Sequence, residues 1–238
     1  MAQNIFITGT GREMALGFHF VLRYLEHGDH VIATVRKPSE ALERLKAQYP
    51  GALDVLTMDI ASTASVEDAA REAARLVPCI DLLINNAVTT SPDCHKELED
   101  ANLDYIAGVV DVDAVGPLRV VKALLPLLEK SAGTALIANI SSEAGSIGKC
   151  YRTSMIDYGM AKAALNMGTM ILRNKFRENP KLNIICVHPG WVRTSPAQAA
   201  APFDPYDSAE ILRKLFEEKR CDFGGPVFVQ YDGTEYPW

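Results

Sequence analysis

Short, nearly continuous apolar runs alternate along this chain with longer stretches in which apolar residues recur every three or four positions. The runs at 4–8, 30–35, 53–58, 80–84, 135–140 and 182–187 are apolar at successive positions, the pattern of strands buried on both faces. A last short strand is expected at 227–229. Between the runs, 11–27, 39–48, 61–76, 103–129 and 155–177 carry helical spacing. Met14, Phe18, Val21, Leu22 and Leu25 mark the first of these, and Gly28 closes it. Ser62 and Ser65 offer caps to the third. Regular strand–helix alternation predicts an α/β fold, a doubly wound parallel sheet with helices on both faces. With 238 residues, 48% of them hydrophobic, and no repeat or Gly/Ser linker, residues 1–238 are expected to form a single domain around one large core. The Pro- and Ala-rich stretch at 195–205, extending to Asp207, reads as a surface flap.

Charge narrows the partners. The net charge is −6 and basic residues form no run, so the electrostatic footprint of a nucleic-acid binder or of an anionic-membrane binder is missing. No stretch approaches the roughly 18 apolar residues of a membrane span, and the first residues lack a leader pattern, which gives the expectation of a soluble, cytoplasmic protein. The five cysteines (Cys79, Cys94, Cys150, Cys186 and Cys221) are odd in number and scattered, with neither CxxC nor metal-ligand spacing. Free thiols and no metal are expected.

In such a sheet ligands gather at the carboxyl ends of the strands. The first strand ends in Thr8-Gly9, with Gly11 following. This glycine-rich turn suits a dinucleotide phosphate, although turns of this kind also serve proteins that bind nothing. Asp59 follows the third strand, Asn85-Asn86-Ala87 the fourth, Ser141-Ser142 the fifth and Pro189-Gly190 the sixth, with Thr194 beyond. Tyr158 and Lys162 stand four apart on a predicted helix and share its face. A phenol, with an ordinary pKa of about 10, is a poor acid–base group at neutral pH, and a fixed ammonium beside it favours the phenolate. A serine hydroxyl can then polarise a substrate oxygen. His188 and Cys186 read as structural, while Trp191, Met155 and Tyr151 suit a pocket wall or the core equally well.

Taken in order, Thr8-Gly9, Asp59, Asn85-Asn86-Ala87, Ser142, Tyr158, Lys162 and the run Pro189-Gly190-Trp191-Val192-Arg193-Thr194 resemble the short-chain dehydrogenase/reductase family from end to end. The closing residues 231–238 are similar to the tail of its carbonyl-reductase-like branch. The resemblance implies a Rossmann fold and an oxidoreductase that transfers hydride between a nicotinamide and a small-molecule carbonyl or alcohol. It makes Tyr158 the general acid/base, Lys162 the cation that activates it and holds the nicotinamide ribose, and Ser142 the partner of the substrate oxygen, with Ser141 as the competing assignment. Ser142 precedes Tyr158 by 16 residues, slightly more than usual, which suggests a small insertion at 149–153. The implied cofactor contacts are Gly9, Gly11, Arg12 and Met14 in the first turn, and Asp59 and Ile60 beside the adenine. Asn86 and Ala87 fall on the adenosine side, and Pro189, Gly190, Val192 and Thr194 at the nicotinamide. The second strand runs into Arg36-Lys37 where an NAD enzyme would carry an acid, and with Arg12 these suit a 2′-phosphate, so NADP is expected, with NAD as the alternative. Family members commonly pair two helices with those of a mate. A homodimer or homotetramer is therefore implied, with the stripe Val110, Val120, Val121, Leu124 and Leu127 and the far face of the Tyr158 helix as its interface.

Four positions depart from the family pattern. In register with TGxxxGxG, Glu13 and Ala15 replace the second and third glycines, and Gly17 lies beyond them. A carboxylate at position 13 repels a pyrophosphate unless it points outward at the helix N-terminus. Val88 stands where the family's Asn-Asn-Ala-Gly has glycine, and Asp113 replaces the asparagine credited with holding a proton-relay water. As a fourth catalytic candidate, Asp113 brings its charge toward Lys162. Two alternatives follow: a binding or regulatory protein on this fold with impaired catalysis, and, through Ala15, an enoyl reductase.

Overall fold

The computed structural model describes residues 2–238. Seven strands, β1 (Asn4–Ile7), β2 (His30–Val35), β3 (Leu53–Thr57), β4 (Leu82–Asn85), β5 (Ala135–Ile140), β6 (Leu182–His188) and β7 (Phe228–Gln230), form one sheet in the order β3-β2-β1-β4-β5-β6-β7. Every pairing is parallel. The helices are α1 (Leu16–Glu26), α2 (Glu40–Gln48), α3 (Thr63–Leu76), α4 (Tyr105–Val110), α5 (Gly116–Leu128), α6 (Ile156–Lys175) and α7 (Pro205–Lys219). Along β1, Ile5 and Ile7 enter one core layer with Phe20, Leu42 and Phe216 of α1, α2 and α7. Phe6 enters the other with Val66, Val120, Leu124 and Phe176, on the side of α3, α5 and α6. The strand order reverses between β1 and β4, which opens the crevice in which such sheets place their ligands.

Two elements differ from the sequence pattern. The stretch at 103–129 is not one regular helix, because a π turn at Asp111–Val115 separates α4 from α5. Pro117 lacks the N–H that would bond the carbonyl of Asp113, and its ring crowds that carbonyl; the helix widens instead, with the Gly116 amide reaching back to Asp111. α7 starts inside the expected flap. Asp204 caps it by accepting from the Tyr206 amide at 2.9 Å, Pro205 opens it, and Leu212, Leu215 and Phe216 give it a core-facing stripe. The expected interface stripe is also corrected: Val120, Val121, Leu124 and Leu127 are all at most 5% exposed and belong to the core beneath the sheet. The exposed apolar residues of the neighbouring surface are Val115 and Leu118, and, on α6, Met160, Met167, Met170 and Ile171.

The turn after β1 settles the glycine register. Gly9 adopts φ +73°, and a Cβ there would stand 2.5 Å from the Ala87 Cα. Ala15 is the N-cap residue of α1, and a Cβ on Gly17 would strike the Asn86 side chain and come within 2.5 Å of the Gly9 carbonyl oxygen. The glycine that allows helix and strand to pack closely is therefore Gly17, not position 15, and the turn is two residues longer than the TGxxxGxG register assumes. Gly17→Ala is expected to lower stability by about 1–3 kcal/mol in urea unfolding. Gly133→Ala, where an added methyl meets nothing within 4 Å, serves as the control. Equal losses in the two variants would contradict the close packing at Gly17.

Candidate active site

β5 delivers two serines with different fates. Ser141 Oγ donates to Asn166 Oδ1 of α6 at 2.6 Å, so it serves the joint between sheet and helix. Ser142 Oγ accepts from the Ala144 amide at 3.1 Å and donates to Glu143 Oε2 at 2.5 Å. The joint is extended by a buried ladder in which Asn85 Nδ2 donates to Asn139 Oδ1 and Asn139 Nδ2 to Thr169 Oγ1, each at 2.8 Å. Gly145 has no room for a side chain against the Lys162 backbone, which brings the Ser142 turn directly onto α6.

On α6, Lys162 is 2% exposed; its Nζ donates to the Ile140 carbonyl at 3.1 Å and lies 3.3 Å from Asp113 Oδ2. The same Nζ is 5.5 Å from the centre of the Tyr158 ring, as expected of neighbours one turn apart. Asp113 is fully buried, and its Oδ1 accepts from the Thr89 amide at 2.8 Å. Burial pushes the Asp113 carboxyl above its ordinary value, with Lys162 and the Thr89 amide pulling the other way. Asp113 meets Lys162 from within the π turn. Next to Tyr158, Asp157 accepts from the Ser91 amide at 2.9 Å. Burial acts against its charge, but that bond and others hold its carboxyl below the ordinary value.

A group that the sequence pattern did not single out surrounds Ser142. The Glu143 carboxylate pairs through Oε1 with Arg152 and through Oε2 with Ser142. Burial alone would raise its carboxyl; the hydrogen bonds from Ser142 and Arg152 bring it below the ordinary value. His188 Nδ1 accepts from the Glu143 amide at 3.2 Å, and the ring packs 5.5 Å from that of Tyr236. Burial lowers the pKa of His188, consistent with a neutral acceptor in a structural role. The local signals were the position of Glu143 directly after Ser142 and that of Arg152 inside the stretch at 149–153.

On the dinucleotide side, Thr8 Oγ1 accepts from the amides of Asn86 and Ala87 at 3.0 Å each. Asn86 Nδ2 returns bonds to the carbonyls of Thr8 and Gly9, so this side chain ties the end of β4 to the first turn. Asp59 is exposed and caps the Ala61 amide at 3.0 Å, whereas the Ile60 side chain is buried against Gly116. Gly11, Arg12, Met14, Arg36 and Lys37 are exposed, and no carboxylate pairs with the three basic residues among the described residues. Glu13 turns outward and meets Arg44 at 3.0 Å on the surface, which removes the repulsion its position suggested. The Ala15 cap contributes no side-chain bond, leaving the first amides of α1 for an anion. After β6, Pro189 leads into Gly190 at φ +83°, Val192 bridges to Phe203, and Thr194 Oγ1 donates to Gln198 at 2.7 Å. Glycine cradle, open helix start and exposed arginines together fit a phosphorylated dinucleotide. Cys186 is a core residue, all five cysteines are free, and the described residues contain neither a metal-ligand cluster nor a helix long and apolar enough to cross a membrane.

The chain is similar to known proteins along its length. The sequence profile of the short chain dehydrogenase family matches residues 3–204. A Neurospora crassa protein named short-chain dehydrogenase srdF is 33% identical over 98% of this chain and 97% of its own. Among solved structures, the NADPH-bound carbonyl reductase from chicken fatty liver superposes with a TM-score of 0.88 at 27% identity, covering 100% of this chain and 99% of that one. The carbonyl reductase Sniffer of D. melanogaster gives 0.89 at 26% identity, with both chains covered completely. With its sheet order and a family match across most of its length, the chain belongs to the short-chain dehydrogenase family and is an NAD(P)-dependent oxidoreductase.

Proposed function

We propose that the protein is an NADP(H)-dependent reductase of carbonyl compounds, also able to oxidise the corresponding alcohols, in which Ser142, Tyr158 and Lys162 carry the chemistry. The observation that carries the proposal is the anchored Lys162 amine beside the Tyr158 ring, one helix turn from it and joined to the strand that delivers Ser142. Bound NADPH supplies the hydride. Tyr158 passes the proton to the substrate oxygen, Ser142 donates a hydrogen bond to that oxygen as charge develops on it, and Lys162 fixes positive charge under the exchange. Asp113, in the place of the family's asparagine, holds the Lys162 amine from below. The cofactor residues are Gly9, Gly11, Arg12, Met14, Arg36, Asp59, Ile60, Asn86, Ala87, Pro189, Gly190, Val192 and Thr194, together with Tyr158 and Lys162. For NADP over NAD the support is Arg12, Arg36 and Lys37, exposed and without a carboxylate partner among the described residues, and the NADPH-bound carbonyl reductase among the similar structures. The outward turn of Glu13 removes the main ground for a cofactor-blind protein on this fold.

A second copy of this chain is the proposed cover for Leu118 and the α6 residues Met160, Met167, Met170 and Ile171, since contiguous exposed apolar side chains mark contact surfaces. The free cysteines suit the reducing cytoplasm.

Two measurements test the proposed activity and assembly. NADPH oxidation with a ketone and quinone panel is expected to exceed NADH oxidation in kcat/KM, to fall at least about 1,000-fold in Tyr158→Phe, and to lose its coenzyme preference in Arg36→Asp; undiminished turnover by Tyr158→Phe contradicts the mechanism. Sedimentation equilibrium is expected to give the mass of a dimer or tetramer, and a single-chain mass at micromolar concentration contradicts the proposed interface.

A further inference from the structure

Glu143 has two carboxylate oxygens with separate tasks. Oε1 is held by Arg152. Oε2 is held by Ser142, whose Oγ donates to it at 2.5 Å. His188 Nδ1 stands 3.7 Å from Oε2, but that nitrogen already accepts from the Glu143 amide and brings no proton. Ser142 is therefore the protein's one donor to Oε2 among the described residues.

A serine hydroxyl has one proton and two lone pairs. In Ser142 one lone pair takes the Ala144 amide and the proton goes to Glu143, so the carbonyl oxygen of a substrate meets no donor there unless the proton changes partner. When it does, Oε2 of a half-buried carboxylate loses its donor, a cost that water meets only partly where the side chain is 19% exposed. A substrate that brings its own donor to Oε2 removes the conflict. Ser142 Oγ and Glu143 Oε2 are separated by the distance of two hydrogen-bonded oxygens, so neighbouring oxygens on adjacent carbons of a substrate can meet both at once.

We propose that Glu143 reads a hydroxyl on the carbon next to the reacting carbonyl, so that the substrates are α-hydroxy carbonyl compounds and the products of reduction are vicinal diols. Ser142 donates to the carbonyl oxygen, the adjacent hydroxyl donates to Glu143 Oε2, and Arg152 keeps the carboxylate ionised and aimed. Glu143 and Arg152 are specificity residues in this arrangement. The inference rests on the reductase reading above and adds the substrate class to it.

The test compares substrates matched in electronic activation but not in donor capacity: hydroxyacetone against methoxyacetone, and 2-hydroxy-1-phenylethanone against 2-methoxy-1-phenylethanone, each with NADPH. The wild type is expected to favour the hydroxy member of a pair by about tenfold or more in kcat/KM, a discrimination set by the unpaired acceptor the methoxy compound leaves behind. In Glu143→Ala the ratio is expected to fall toward one, with the methoxy compound gaining or unchanged; Glu143→Met, which keeps the length and removes both acceptor oxygens, gives the same direction and serves if the alanine variant does not fold. A merely structural role for Glu143 would lower both substrates together and leave the ratio unmoved. The inference is overturned by a wild-type ratio near one, by a ratio that survives in the variants, or by reduction of simple ketones or quinones with neither hydroxy compound accepted. Failure to reduce any carbonyl would instead sink the reductase reading and this inference with it.

Discussion

Lys162 brings a cationic amine into a place from which water is almost excluded, and two acceptors meet it there, the Ile140 carbonyl and the Asp113 carboxylate. An unpaired charge at such a site is costly, so the position of the amine is dictated by its partners rather than by solvent. The remaining geometry of the site follows from that anchor. Ile140 ends β5, Ser142 comes two residues later, and Tyr158 sits one turn before Lys162, so the bond from the amine to Ile140 ties the helix that carries Tyr158 to the strand that leads into Ser142.

The fold supports this anchor with features whose purpose is otherwise hard to see. Pro117 cannot bond the Asp113 carbonyl, the helix opens into a π turn, and Asp113 in that turn lies against Lys162. The Thr89 amide holds the other oxygen of that carboxylate. Asn85, Asn139, Ser141, Asn166 and Thr169 supply neutral hydrogen bonds that lock α6 to the middle of the sheet. Buried hydrogen bonds of this kind confer a definite geometry on the joint between helix and sheet.

Much of this was legible in the sequence because it is local. The boundaries of β2 and β5 follow from short buried runs, Ser62 is a cap where α3 begins, and the Tyr158–Lys162 spacing is a property of any helix. What escaped depends on contacts between distant segments. Gly17 is identified as the packing glycine only when Asn86 and the Gly9 carbonyl are seen pressing on it. The Val120–Leu127 stripe has the same spacing whether it faces a sheet or a mate, and the sheet claims it. Glu143 and Arg152 are nine residues apart, and nothing in that interval says that a loop brings them together over Ser142. Glu13 was alarming in a linear register and is harmless in space, because the longer turn lets it reach Arg44.

The central claim is that Lys162 and Asp113 act as one unit in spite of the desolvation each suffers. A double-mutant cycle of Lys162→Met and Asp113→Asn, read as free energies of urea unfolding, tests it without reference to any substrate. Each single variant strands a buried partner, so the account expects the double variant to lose less than the summed losses, by about 1 kcal/mol or more. Losses that add to within about 0.5 kcal/mol would show that the two residues do not depend on each other, and would contradict the account.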